Sequence, residues 1–584
     1  MRLTKLWTIP VIVLLTACST ETLTDSTTIP TGDDAVSFAR LNVNLPSVPT
    51  TRAYTADPGD NGEFKVGKTR IFLFENEKGA DAKSEDEYTF LYEAEPTDWL
   101  SDKNASGDEY QDYESFIIKL RGANKVYNDL YALVVLNGDN IPAPTTAGQT
   151  FDSYNAAVSL ATEGNTARYL GDTNKGFVMA NAANAAKASA SADPTVLVPL
   201  TLYSSPKAAK ASSGNSIYVE RSAVKVTVTK AQEAYPLKSD DKVTVTPLAW
   251  TLTNTNRYMY PFHKVTGLRT GDTSYKDIWT NSRFLGTDLG GFRRTQWSMD
   301  PNYSTTPEAC AAEFHVATAD EVTTEFSKPA STSATETSQA VYHPLYCAEN
   351  TFDIAHMMKG QTTAVVVKAQ ITHTSDDDRA NESEAAAKPR LATRATTPVN
   401  NVFGVQGHVY SEGYLAQLVA RTASTAFGTT VSANNVDLSP LLGKVKTSLT
   451  AANFKDIKKN GAAFTPTAAQ LKDLNIEIGP ITGYRDGICY YIAYIRHFDN
   501  KETPWQSGKE RYGTGDEANK KYLGRYGVVR NNWYDLTIQD FAYPGSPVIP
   551  KPKPEDPDDD HSVILLNVKV NPWAKEDTKF VPLE

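Results

Sequence analysis

Alternation begins early in the chain. In Ala35–Leu45 (AVSFARLNVNL), Leu41, Val43 and Leu45 fall on one side and Asn42 and Asn44 on the other, the period of a half-buried strand. The same pattern returns in Ile217–Lys230, where Val224, Val226 and Val228 alternate with Lys225, Thr227 and Thr229. It returns again near the end, in Val563–Asn571, where Ile564, Leu566, Val568 and Val570 share one side and Asn567 and Lys569 the other. Compact apolar runs predict further strands at Arg70–Phe74, Ser115–Leu120, Tyr131–Leu136, Val243–Leu252, Thr363–Ile371, Tyr490–His497 and Trp533–Phe541, with a weaker one at Val196–Leu200. Residues 155–192 are rich in Ala and Asn with helical stretches, and no long amphipathic helix stands out. The pattern predicts a mainly β protein.

The segments between these runs are informative too. Arg2 and Lys5 precede a short apolar run, Leu6–Leu15, too short to span a bilayer. It ends in Leu15-Thr16-Ala17-Cys18, which resembles the bacterial lipobox; that likeness implies cleavage before Cys18 and a lipid on its sulfur. Residues 19–34 are polar and read as a tether. Pro46-Ser47-Val48-Pro49-Thr50-Thr51-Arg52-Ala53 is a Pro-punctuated loop with a lone Arg, where a trypsin-like protease could cut between Arg52 and Ala53. Residues 375–398 are charged and turn-rich, an exposed excursion. Residues 544–557 hold six Pro and read as an extended spacer.

Composition narrows the classes. A length of 584 residues suggests about two to four domains. The 58 basic and 69 acidic residues give a net charge of −11, without the basic footprint of a nucleic-acid binder. Tyr, Thr and Val recur, as suits pleated half-exposed surfaces. Cys310, Cys347 and Cys489 fit no zinc spacing and allow at most one disulfide; buried free thiols are an equal reading. His343, His356, His373 and His497 lack metal-ligand spacing. The acidic runs Asp376–Asp378 and Asp558–Asp560 lack the Gly and terminal Glu of a calcium loop. No nucleophile elbow, zinc-protease or phosphate-loop motif is present, so neither an enzyme nor a cofactor is expected. Tyr490, Tyr491 and Tyr494 could form a ligand platform, though aromatic rows on strands usually pack.

The two ends of the chain belong together in this reading. Leu41-Asn42-Val43-Asn44-Leu45 and Leu566-Asn567-Val568-Lys569-Val570 alternate in the same phase, like two plugs for one socket. The early one precedes the cuttable loop. The late one follows a spacer of 14 residues, which at ~3.1 Å each reaches on the order of 40 Å. Cutting after Arg52 would free the first strand and open an apolar groove with unpaired edges; a neighbour's last strand would fill it. Burying Ile564, Leu566, Val568 and Val570 would contribute roughly 6–12 kcal/mol before entropy. The contact is head-to-tail and predicts an open filament.

In these features taken together, the chain resembles the type V pilins, or fimbrilins, of Bacteroidetes. The likeness rests on Leu15-Thr16-Ala17-Cys18, Thr51-Arg52-Ala53, Val219-Glu220-Arg221-Ser222-Ala223-Val224-Lys225, Tyr484–His497, Arg530-Asn531-Asn532-Trp533-Tyr534 and Val568-Lys569-Val570-Asn571-Pro572-Trp573, in that order. The resemblance implies two transthyretin-like β-sandwich domains, export as an outer-membrane lipoprotein, maturation by an arginine-specific protease, and polymerisation through the C-terminal strand. It implies a cell-surface fimbrium serving adhesion, aggregation or biofilm formation, with anchor and tip subunits as further partners. The expected organisation is a signal peptide at 1–17, a propeptide at 18–52, β-domains at 53–217 and 218–543, a spacer at 544–561 and a donor strand at 562–584. Having both a cuttable loop and a donor, the chain reads as a shaft subunit. Segments 265–345 and 375–470 match nothing in the family pattern. The rival reading is a monomeric surface lipoprotein that binds carbohydrate or a host protein.

Overall fold

The structure, a computed structural model, describes residues 36–45, 47–48, 61–100, 113–120, 129–183, 195–266, 282–288, 293–295, 297–302, 312–328, 340–373, 401–504, 513, 515–551, 563–573 and 575–576. The fold is mainly β, as the pattern predicts, and is built around two large sheets.

The first sheet contains β1 (Ser37–Asn44), β2 (Thr69–Glu75), β3 (Thr89–Ala94), β4 (Pro96–Trp99), β5 (Tyr113–Leu120), β6 (Leu130–Leu136), β7 (Met179–Asn181) and β8 (Asn215–Arg221). Their order is β3-β2-β6-β7-β8-β1-β5-β4, with Val198–Pro199 added beside β6. Leu41, Val43, Ile71, Leu73, Phe116 and Ile118 share the core of this sheet. The opposite face of β2 and β6 is buried as well: Phe72, Phe74, Leu133 and Val135 pack into a second core, which also holds Trp297, Phe352, Trp533 and Trp573. Burial on both faces explains why β2 and β6 read as continuous apolar runs rather than alternating ones.

The second sheet contains β9 (Ala223–Lys230), β10 (Tyr235–Leu237), β11 (Asp240–Thr253), β12 (Leu345–Ala348), β13 (Ala364–His373), then, beyond an inserted unit, β17 (Ile488–Tyr494), β18 (Asn532–Phe541) and β19 (Ile564–Pro572). The order is β12-β9-β18-β10-β11-β13-β17, with β19 pairing β18. The predicted strand Ile217–Lys230 is divided at Ser222, so β8 serves the first sheet and β9 the second.

The inserted unit is β14 (Val402–Val405), β15 (His408–Ser411), α1 (Glu412–Phe427), α2 (Ala468–Ile478) and β16 (Ile481–Tyr484), with the strands ordered β15-β14-β16. It begins in the described part of 375–470, which matched no family pattern, and runs on to Tyr484. Ser411 caps α1 through the Tyr414 N–H, and Gly428 ends it at φ 61°. Leu415, Val419, Ala423 and Phe427 form its buried stripe and meet Leu474 and Ile478 of α2.

Candidate assembly site

β1 lies inside its sheet, not at an edge. It pairs antiparallel with β5, Leu41 opposite Phe116 and Asn42 opposite Ser115, and parallel with β8, Val43 opposite Ile217. Ala39, Leu41 and Val43 are fully buried against Phe116, Ile118 and Ile217. Leu45 lies just past the strand and is half-buried on the same core. The outward face is polar and tied down. Asn42 Oδ1 accepts from the Ser115 hydroxyl at 2.7 Å, and Asn42 Nδ2 donates to the Ser213 carbonyl at 2.6 Å. Arg40 donates to the carbonyls of Lys210 at 3.0 Å and Ser212 at 2.7 Å. The Asn215 amide closes the set on the Arg40 carbonyl at 2.9 Å.

β19 sits at the edge of the other sheet. It runs antiparallel to β18, with Val568 opposite Leu536 and Val570 opposite Tyr534. Ile564 is buried, Leu566, Val568 and Val570 are half-buried, and Asn567 and Lys569 are exposed. The alternation is as predicted, but the strand is seated on its own chain. Just beyond it, Trp573 is fully buried. Its indole N–H donates to Glu63 Oε2 at 2.9 Å, and Lys225 Nζ reaches the same carboxylate at 2.9 Å. The Tyr346 hydroxyl donates to the other oxygen of Glu63 at 2.6 Å. The Arg221 guanidinium lies 4.7 Å from the Trp573 ring centre and donates to the Trp573 carbonyl at 2.5 Å. Phe177 meets the indole edge-on at 4.8 Å between ring centres, and Tyr346 stacks on it at 5.6 Å. Burial pulls Arg221 down to about 10 and lowers Lys225, against the opposing pull of nearby acidic groups.

The two ends also meet directly. Ser47 and Val48, leading out of β1, pair in parallel with Lys575 and Glu576, beyond β19. Glu63, ten residues after Ala53, and Trp573 thereby join the start and the end of the chain at one buried point. Sequence reasoning missed this seat. Lys225 falls on the polar phase of β9, yet β9 is buried on both faces, so the lysine points at Glu63 instead of water. Cys18, Arg52 and Ala53 lie outside the described residues. Cys347 and Cys489 are free and buried, and burial pushes each thiol up to about 12; Cys310 lies outside the described residues. Tyr490 and Tyr491 are buried. Among the described residues no group of three or more His, Cys, Asp or Glu could hold a metal ion.

Residues 482–579, from β16 through β19, match the family described as Major fimbrial subunit protein type IV, Fimbrillin, C-terminal. The likeness to the fimbrillin family lies in this C-terminal segment. No curated protein sequence matches the chain. Solved structures similar to it include a protein described as a cell adhesion protein of Parabacteroides distasonis, at 10% identity, with 92% of this chain and 99% of that one covered and a TM-score of 0.33. Another of the same description, from Bacteroides eggerthii, has 10% identity, coverage of 94% and 98%, and a TM-score of 0.31. The C-terminally truncated tip fimbrial protein of Porphyromonas gingivalis has 9% identity, coverage of 92% and 100%, and a TM-score of 0.30.

Proposed function

We propose that this chain is a fimbrial shaft subunit, exported as an outer-membrane lipoprotein on Cys18, cut after Arg52 by an arginine-specific protease, and polymerised head-to-tail when β19 of one copy replaces β1 of the next. Its mature part then comprises two β-domains, 53–217 and 218–543, and the donor strand. Anchor and tip subunits would complete the fimbrium.

The observation that carries this reading is the position of β1. Residues ahead of Arg52 supply a strand that is flanked on both sides and fully buried at Ala39, Leu41 and Val43. Losing it would leave an apolar groove between β5 and β8, with two rows of unpaired backbone groups. Such a groove needs a replacement strand with the same alternation, and β19 has it. Among the described residues β19 is also paired on one side only, so it can leave without splitting a sheet.

Deleting 562–584 tests the reading. The variant should be exported and cleaved to begin at Ala53, and should remain monomeric on an unheated denaturing gel. Arg52→Ala should remain lipid-bound and capped. Normal filaments from the truncated protein would refute strand exchange, and polymers without cleavage would refute the release step. A wild-type surface form with a lipidated Cys18 and a single monomer band would favour the monomeric binding lipoprotein.

A further inference from the structure

The groove does more than accept an apolar row. Over the outward face of β1, the Ser115 hydroxyl is buried and donates to Asn42 Oδ1, while Arg40 Nε donates to that hydroxyl at 3.2 Å. From the other side the loop ahead of β8 brings the Ser213 carbonyl to Asn42 Nδ2 at 2.6 Å. Gly214 makes this approach possible. Its φ is +72°, and a Cβ there would stand 2.8 Å from both Asn42 Nδ2 and Arg40 Cγ. The site thus presents one donor and one acceptor to a single short side chain. An amide answers both, because it carries an acceptor oxygen and a donor nitrogen.

We propose that Ser115, Ser213 and Gly214 form a register-reading clamp for an asparagine in the strand held between β5 and β8, filled by Asn42 in this chain and by Asn567 of a second copy in the fibre. The inference rests on the strand-exchange reading above. The tripeptide Leu41-Asn42-Val43 recurs as Leu566-Asn567-Val568. Laying one on the other puts the same Leu and Val into the core and the same amide into the clamp. A slip of two residues keeps the aliphatic phase and ruins the clamp. Leu565 would then cover a buried hydroxyl with an apolar chain. Lys569 would bring donors but no acceptor for the Ser115 proton. The aliphatic row is compatible with several registers; the asparagine selects one.

Cysteine pairs test this in fibres of the full chain. Asn42 and Ser115 are directly opposite, so Asn42→Cys with Ser115→Cys should close an intramolecular disulfide in the uncut precursor. In the fibre, Ser115→Cys is combined in turn with Leu565→Cys, Asn567→Cys or Lys569→Cys, and intermolecular ladders are read on non-reducing gels. The 567 pair should dominate. A dominant 565 or 569 ladder overturns the register and leaves strand exchange standing. A fibre with no ladder from any of the three pairs overturns strand exchange itself. A second measurement avoids the buried serine: Asn567 is exposed in the monomer, so Asn567→Leu should leave its folding unchanged and slow polymerisation about tenfold, as expected when one buried polar contact is lost. Polymerisation at the wild-type rate would overturn the clamp.

Discussion

Replacing Trp573 by Ala should loosen the C-terminal strand from its own chain. The indole is fully buried, and emptying such a site costs about 3–5 kcal/mol. Its N–H bond to the Glu63 carboxylate, its contact with Arg221 and its stacking on Tyr346 all go at once. Glu63 retains Lys225 and Tyr346, so the carboxylate is not left bare. If β19 opens locally, a loss of about 3–5 kcal/mol raises amide exchange in Ile564–Asn571 by on the order of 100- to several-thousand-fold. Hydrogen exchange read by mass spectrometry on that peptide measures this, with β13 as the internal reference. Trp573→Phe keeps a ring but loses the N–H, and should fall between the two. A rise below tenfold in Ile564–Asn571, or an equal rise in β13, would refute the idea that Trp573 anchors the strand locally.

Two further outcomes follow from burial and charge. Leu41→Ala in the uncut precursor should cost about 2–5 kcal/mol by denaturant titration, and Leu566→Ala clearly less, because Leu41 is fully buried and Leu566 only half-buried; equal losses would contradict the contrast between interior and edge. Burial raises the Glu349 carboxyl, but Arg530 and His263 outweigh it and hold the group well below its usual 4.5. A depressed carboxylate stabilises above its unfolded value and loses that contribution as pH falls. The wild type should therefore lose thermal stability below about pH 4.5, and Glu349→Gln should flatten that limb of the curve; coincident acid limbs would count against it.

Much of the fold was legible because alternation and burial are local signals. β1, β9 and β19 announce themselves by period, and β2 and β6 by apolar runs that need cover on both faces. Less local features were hidden. Lys225 reads as a solvent-facing residue because its partner, Glu63, is 162 positions away, and no pattern within β9 reveals it. Trp573 reads as the end of a strand, and only the fold brings Arg221, Phe177 and Tyr346 around it. The helix α1 did leave a signal: Ser411 and Gly428 punctuate its ends, and Leu415, Val419, Ala423 and Phe427 recur at fourth places. Its many alanines dilute that stripe, and no helix was predicted there.

On the proposed reading, the two seats of the strand explain both why exchange proceeds and why it waits. Among the described residues of its own chain β19 has one strand neighbour, β18, and three of its four inward aliphatic residues are only half-buried. Between β5 and β8 a strand has two neighbours, and β1 shows residues in that position fully buried. Taking three side chains from half to full burial contributes about 2–4 kcal/mol, close to the cost of about 3–5 kcal/mol for withdrawing Trp573 from its seat. Side-chain burial alone therefore leaves the exchange near balance. The second ladder decides it, since each backbone hydrogen bond adds about 0.5–1.5 kcal/mol net. That ladder exists only after β1 has gone, whereas the Trp573 seat must be emptied first. The seat accordingly acts on the rate of strand release and the groove on its direction. A precursor that still holds β1 then has little to gain by releasing β19.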